Sequence, residues 1–282
     1  SSSGKANLRT TEQTFGDQLH SYTIVDAIRD KTVLPFRVDY LNSFRVRDGI
    51  DNHDVEGIDT DSAYMNPQRI SAVVSYILEH FDQKTKRHAS FQYKERRVNG
   101  FSSLFATSSI KAARAYYQEF KRQQADLPEA RRLSVGIIYS YAPNAEAPGT
   151  GLLSEESMDP SALSQDDRAF LDEAIADYNQ QFGASFGTDA SGFEGYYTSL
   201  STALAERRID LVIVVDMFLT GFDSKSLNTL WVDKNLRAHG LIQAFSRTNR
   251  ILNSVKTYGN IVCFRNLAQA TEDAIALFGH KE

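Results

Sequence analysis

From Gly100 onward the chain repeats one unit: a short apolar run rich in β-branched residues, then an amphipathic stretch of helical period. Parallel strands need a crossover long enough to return to the same end of the sheet, so this alternation points to a parallel sheet with helical connections. The strand runs read Phe101 to Ala106, Leu133 to Tyr141, Leu211 to Val215, Leu227 to Val232 and Asn260 to Phe264. Helices are expected over Ile110 to Gln123, Leu163 to Phe182, Tyr196 to Arg207, about twelve residues from His239–Gly240, and Leu267 to Phe278. The fold class is therefore α/β, with a central, mostly parallel sheet flanked by helices.

The stretch before Gly100 is less regular. Residues 1–14 are polar, and Gly4-Lys5 does not make a phosphate loop, because the preceding glycine, the following Ser/Thr and the leading strand are all missing. A helix is expected from His20 to Arg29 and a strand from Val33 to Leu41. Residues 47–66 carry scattered carboxylates without the spacing of a calcium loop and read as an acidic linker. Pro67 opens a helix whose buried stripe is Ile70, Val73, Val74, Ile77, Leu78 and Phe81. Lys84 to Arg97 reads as helix end plus loop, and the glycine-rich stretch Gly183 to Gly195 as loop.

Charge separates along the chain. The formal net charge is −5, which excludes a uniform coat of nucleic acid. Yet from Lys234 to Tyr258 there are five Lys or Arg and no Asp or Glu, while carboxylates gather around 155–177. A basic strip on an acidic chain fits DNA engaged along one surface. The single cysteine, Cys263, lies in an apolar run and reads as a buried spectator thiol; cysteine-ligated zinc is not expected, and no metal site is read. No apolar stretch reaches membrane-spanning length and no signal peptide opens the chain, so no membrane partner and a cytoplasmic location are expected.

The basic strip follows the run Leu211 to Val215 and the loop that ends Thr220-Gly221-Phe222-Asp223. If residues 239–250 form one helix, Gln243, Arg247 and Arg250 lie within about 60° of one another on its outer face. Two arginines one turn apart repel each other, and a polyanion is their natural partner, since the guanidinium fork matches phosphate oxygens. An ordinary solvated helix would look the same in isolation.

These residues resemble a known family. Thr220-Gly221-Phe222-Asp223 resembles motif V of superfamily 2 helicases. Gln243 to Arg250 resembles their motif VI, Q-x-x-G-R-x-x-R, with Ser246 at the glycine position. The wider wording from Asp216 to Arg250, and the lead-in from Phe15 to Tyr40, resemble the restriction (motor) subunit of type I restriction-modification enzymes. The resemblance implies a RecA-like domain of the P-loop-NTPase type over residues 100–265, carrying motifs IV to VI. It further implies a lead-in segment over 1–99 packed on that domain, and the start of a helical region at 266–282.

By position, the resemblance makes Arg250 and Arg247 the catalytic arginines that reach the ATP γ-phosphate. Gln243 links nucleotide state to closure, and Gly221 and Asp223 lie by the ribose and those arginines. Thr220, with Thr107 and Ser108 at the motif IV corner, meets DNA phosphate. Ser/Thr residues at 107–109 serve equally as ordinary helix caps. ATP and Mg2+ are expected to be held mainly by a first RecA-like domain of the full-length chain, because this sequence has no G-x-x-x-x-G-K-[ST], no D-E-x-[HD] box and no persuasive nuclease cluster. Alone, the chain is expected to be inactive. The implied partners are double-stranded DNA and the modification (methyltransferase) and specificity subunits. Two other functions fit the motifs: the second motor domain of a non-nuclease helicase or remodeller, and a non-catalytic DNA-binding or assembly module.

Overall fold

The computed structural model describes residues 28–29, 31–41, 63–139, 163–219 and 222–279. Most of the helix expected from His20 and of the acidic linker, the proline-bearing loop after Tyr139, and Thr220 and Gly221 lie outside the described residues.

Among the described residues, six strands form one parallel sheet in the order β1-β8-β7-β4-β6-β5. They are β1 (Phe36–Tyr40), β4 (Ser102–Thr107), β5 (Val135–Ile138), β6 (Leu211–Val214), β7 (Leu227–Asp233) and β8 (Gly259–Cys263). The four inner strands are buried at every residue, as happens only when both faces of a parallel sheet are covered. The edge strand β1 alternates in exposure instead. This is the RecA-like α/β architecture. The strand from the lead-in segment is part of the same sheet, pairing Val38 with Ile261 and Tyr40 with Cys263.

The helices are α1 (Pro67–Lys84), α2 (Ile110–Gln124), α3 (Gln165–Phe182), α4 (Ala190–Ala205), α5 (Ala238–Phe245) and α6 (Ala268–Gly279). α1 begins where Asn66 caps it and Pro67 takes a first-turn position, where no amide N–H is needed. It buries Ile70, Val73, Val74, Ile77 and Phe81, each worth about 1.5–3 kcal/mol relative to exposure. Leu78 of the expected stripe is only partly buried. α1 packs against α2, and α5 against α6.

Two expectations fail. Lys84 to Arg97 is not all helix end and loop: β2 (Ser90–Tyr93) and β3 (Arg96–Asn99) form an antiparallel hairpin. Only Phe91 and Val98 are apolar and buried there, so the alternation was too short to stand out. The glycine-rich stretch is not all loop either. Asp189 caps α4 by accepting from the Gly192 N–H, which recruits residues 190–195 into the helix.

Gly100 joins the hairpin to β4 with φ of +61°; a Cβ there would sit 2.6 Å from Arg87 Cα. A residue with a side chain would be strained on both counts.

A buried ion network ties the lead-in helix to the sheet. Asp233, at the end of β7, accepts from Arg69 Nη1 and Nη2 (2.9 and 2.6 Å), Tyr116 Oη (2.6 Å) and Arg265 Nε (3.1 Å). Burial raises the Asp233 pKa, but the hydrogen bonds and fields of the arginines outweigh it and hold the carboxyl below its ordinary value. Lys84 adds an ion pair to Asp39 of β1.

Candidate functional site

The loop after β6 and the segment after α5 come together at one surface. Phe218 opens the loop in the left-handed region (φ 67°), which costs a non-glycine residue about 1–2 kcal/mol. Aromatic contacts hold it there: the Phe218 ring stacks on Phe222 at 5.0 Å and meets Tyr197 edge-on at 5.1 Å, centroid to centroid.

The arginines reach this loop by a different route from the one expected. α5 has eight residues, not about twelve, and ends at Phe245. Beyond it the amide of Ser246 still bonds four residues back, but Arg247 and Thr248 bond only three back, to Ala244 and Phe245. The hydroxyls of Ser246 and Thr248 take the Ile242 and Phe245 carbonyls (2.7 and 2.8 Å). Such back-bonding by Ser and Thr competes with helix continuation. Asn249 then leaves the helical path and accepts from the Leu34 amide. Gln243, Arg247 and Arg250 therefore do not share one helical face; only Gln243 is on the helix, with its amide nitrogen 2.8 Å from His239 Nε2.

Both guanidiniums nevertheless engage the same loop. Arg247 donates through Nη1 to the Phe222 carbonyl (2.7 Å) and through Nε to that of Leu219 (3.4 Å). Arg250 donates through Nε to Asp223 Oδ1 (3.0 Å). Their side chains are 49% and 51% exposed, so the ion pair faces solvent and is worth no more than about 1 kcal/mol. Arg250 spends one donor on Asp223 and keeps the outer edge of its fork clear of described partners.

Sequence reading missed the residue that braces this surface. Lys256 is 2% exposed and, among the described residues, makes no hydrogen bond to a carboxylate. Its Nζ donates to the carbonyls of Lys225 and Leu227 (2.9 and 2.7 Å), fixing the segment that joins Asp223 to β7. Asn253 sets its backbone: Oδ1 accepts from the amides of Val255 and Lys256 (3.1 and 3.0 Å), an Asx turn. Burial pushes the Lys256 ammonium down to about 7; the field of Asp223 opposes this and that of Arg250 adds to it. A lysine amid polar neighbours gives no sequence signal of burial.

Of the expected DNA contacts, Thr220 lies outside the described residues and Thr107 does not face outward. Thr107 is fully buried and its hydroxyl donates to the Val214 carbonyl (3.0 Å), so it is spent inside the sheet. A threonine ending a central strand next to another strand's last carbonyl has an acceptor at hand. The helix cap belongs to Ser109, whose Oγ accepts from the Ala112 amide. Ser108 remains exposed at the mouth of the β4–α2 turn. Asp216 pairs with Lys234 (2.6 Å), closing the ends of β6 and β7. Among the described residues no group of three or more His, Cys, Asp or Glu could hold a metal ion, and no helix is long and apolar enough to cross a membrane.

Comparison with known proteins places the chain in a family. The family model described as "Type I restriction enzyme subunit R domain 3" matches residues 99–266. An endonuclease subunit of a type I restriction enzyme from Staphylococcus aureus (strain MRSA252) is 39% identical over 274 residues, 96% of this chain and 27% of that protein. One from Staphylococcus saprophyticus is 40% identical over 278 residues, 97% of this chain and 27% of that protein. The chain thus spans about a quarter of the length of these relatives. A fragment structure of a putative HsdR subunit of a type I restriction enzyme from Vibrio vulnificus YJ016 superposes with a TM-score of 0.55. That match covers all of this chain and 41% of that one at 12% identity, a likeness of fold alone. With residues 99–266 matched by the family model and nearly its whole length matched by relatives, the chain belongs to the endonuclease (R) subunits of type I restriction enzymes.

Proposed function

We propose that this chain supplies the second RecA-like domain of a DNA-translocating restriction subunit, and that Arg250 is its catalytic arginine toward ATP. One observation carries the reading: Arg250 is held by Asp223 at a half-exposed surface, with the outer edge of its guanidinium unspent. A guanidinium so placed is oriented yet exchangeable, because an exposed pair of this strength yields readily to a phosphate.

ATP, with Mg2+, is the substrate and would be bound mainly by a preceding RecA-like domain. Arg250 would reach across to the γ-phosphate and stabilise charge in the transition state. Arg247 plays a positioning part, since both its described bonds tie the motif VI segment to carbonyls of the Leu219–Phe222 loop. Gln243 lies on α5 beside His239, where it would sense closure. Gly221 and Asp223 would flank the ribose, and Thr220 and Ser108 would meet DNA phosphates. Each cycle of turnover would close and open the cleft and advance double-stranded DNA, in a cytoplasmic complex with modification and specificity subunits.

The test is steady-state, DNA-stimulated ATPase activity of the full-length subunit carrying Arg250→Ala. Loss of an arginine finger lowers turnover by roughly 10³-fold or more. Near-normal turnover with Arg250→Ala would remove Arg250 from the chemistry. Loss of ATPase with Asp223→Ala but not with Arg250→Ala would move the role to the loop.

A further inference from the structure

A concave surface apart from the Arg250 site has unspent positive charge. A cleft of about 840 Å³ opens between the β2–β3 hairpin, the end of α1 and the short 3-10 turn Glu129–Arg131. Five arginines and two aspartates line it, an excess of three positive charges on a chain whose net charge is −5.

The charges divide into a floor and a rim. The floor is internally neutralised. Arg207, in the left-handed region (φ 60°), donates to Asp210 Oδ1 (3.0 Å) and to the carbonyls of Asn99, Gly100 and Ile209. Arg87 bridges Asp82 and Asp210 (both 3.5 Å). Both aspartates are thereby committed. The rim is not neutralised: Arg96 and Arg97 on β3 and Arg131 on the opposite turn are exposed, and none meets a carboxylate among the described residues. Arg97 gives only its Nε, to Ser90 Oγ (2.6 Å). Glu95 and Glu129, close by in sequence, do not line the cleft. The field is felt below: burial, then Arg87 and Arg96, pull the Arg207 pKa down against Asp210.

We propose that this cleft is a second contact for the phosphodiester backbone of DNA, with Arg96, Arg97 and Arg131 as its phosphate-binding side chains. The opening far exceeds one small anion, and guanidiniums on facing rims suit phosphates repeated along a strand. This rests on the reading of the chain as part of a DNA motor. The hairpin also leans on the segment beyond Arg250: Phe91, Val98 and Phe101 pack with Leu252 and Val255, and Lys86 Nζ donates to the Val255 carbonyl. DNA held at the rim would therefore be mechanically continuous with the site that acts on ATP.

The test uses the full-length subunit carrying Arg96→Glu, Arg97→Glu and Arg131→Glu together, with a fluorescent DNA duplex titrated over about 50–300 mM salt. Roughly tenfold or weaker binding near 0.1 M salt is expected, with a salt slope shallower by up to about 0.9 per contact removed. Arg96→Lys, Arg97→Lys and Arg131→Lys made together should keep most of both. DNA-independent ATP turnover should not change, whereas Arg250→Ala should abolish turnover and spare the salt slope, so the two proposals fail separately. Unchanged affinity and slope would overturn the inference. So would unchanged DNA binding with lost subunit assembly, which would make the cleft a seat for an acidic protein surface. If the triple variant misfolds by circular dichroism, Arg96→Glu and Arg131→Glu made singly carry the test, each with a slope change of about 0.9 expected and none overturning it.

Discussion

Replacing Asp233 by asparagine tests what joins the lead-in helix to the sheet. The substitution keeps the shape but removes the Asp233 carboxylate, which the buried guanidiniums of Arg69 and Arg265 both bond. Both arginine side chains are about nineteen-twentieths buried, with 5% and 6% exposed, so water cannot replace the lost charge. Breaking a buried pair from one side costs about 3–5 kcal/mol. At about 1.4 kcal/mol per decade, that lowers amide protection in β7 and β8 by roughly two to three and a half orders of magnitude. Hydrogen exchange with mass spectrometry reads this in the intact full-length subunit, where a single unfolding midpoint is not defined. The triple variant Arg69→Met, Asp233→Leu, Arg265→Met should recover most of the protection, because an apolar replacement of a whole buried network is often neutral. The sign with pH is also fixed. The folded pKa of Asp233 lies below its ordinary value, so its contribution is complete above the unfolded pKa and fades as pH falls through the folded one. A change in protection under threefold for Asp233→Asn would mean that the Asp233 network does not hold β7 and β8 in place.

Three further outcomes follow from the same geometry. Lys256 has a folded pKa near 7, well below its unfolded value, so the unfolded chain binds the extra proton in between; local stability around β7 should rise with pH from about 7 toward about 10, and Lys256→Met should flatten that rise in exchange rates corrected for intrinsic pH dependence. A Cβ at Gly259 would lie 2.1 Å from Thr248 Oγ1, so Gly259→Ala should destabilise by about 1–3 kcal/mol and lower ATPase activity by displacing the turn that carries Arg247, with partial recovery on adding Thr248→Ala. Burial, then the field of Asp39, pushes the Cys263 thiol up to about 12, so iodoacetamide at pH 8 should label it only after denaturation; fast labelling of the native subunit would place it elsewhere.

The sheet was legible because each inner strand holds an apolar run, complete in β6 and flanked by Ser, Thr or Asn in β4, β7 and β8, and α1 because Pro67 and a helical stripe mark it. Strand order was not legible, since Val38 opposite Ile261 looks like any other valine in an edge strand. The arginines were legible as a motif and not as a geometry: periodicity assumes the helix continues, and two hydroxyls end it at Phe245. The Asp233 network escaped notice because Arg69, Tyr116, Asp233 and Arg265 are far apart in sequence and each alone has the composition of a surface. Thr107 was placed on DNA by analogy and is held by the neighbouring strand instead.

On the proposed reading, Arg250 acts on the reacting phosphate and not on the fold. Single-turnover ATP cleavage by the full-length subunit, with nucleotide affinity measured separately, separates the two for Arg250→Ala. The expected result is a cleavage rate lower by roughly 10³-fold, nucleotide affinity within a few fold of wild type, and unchanged amide protection in β7. A cleavage rate within a few fold of wild type, or a loss wholly accounted for by weaker nucleotide binding, would contradict it.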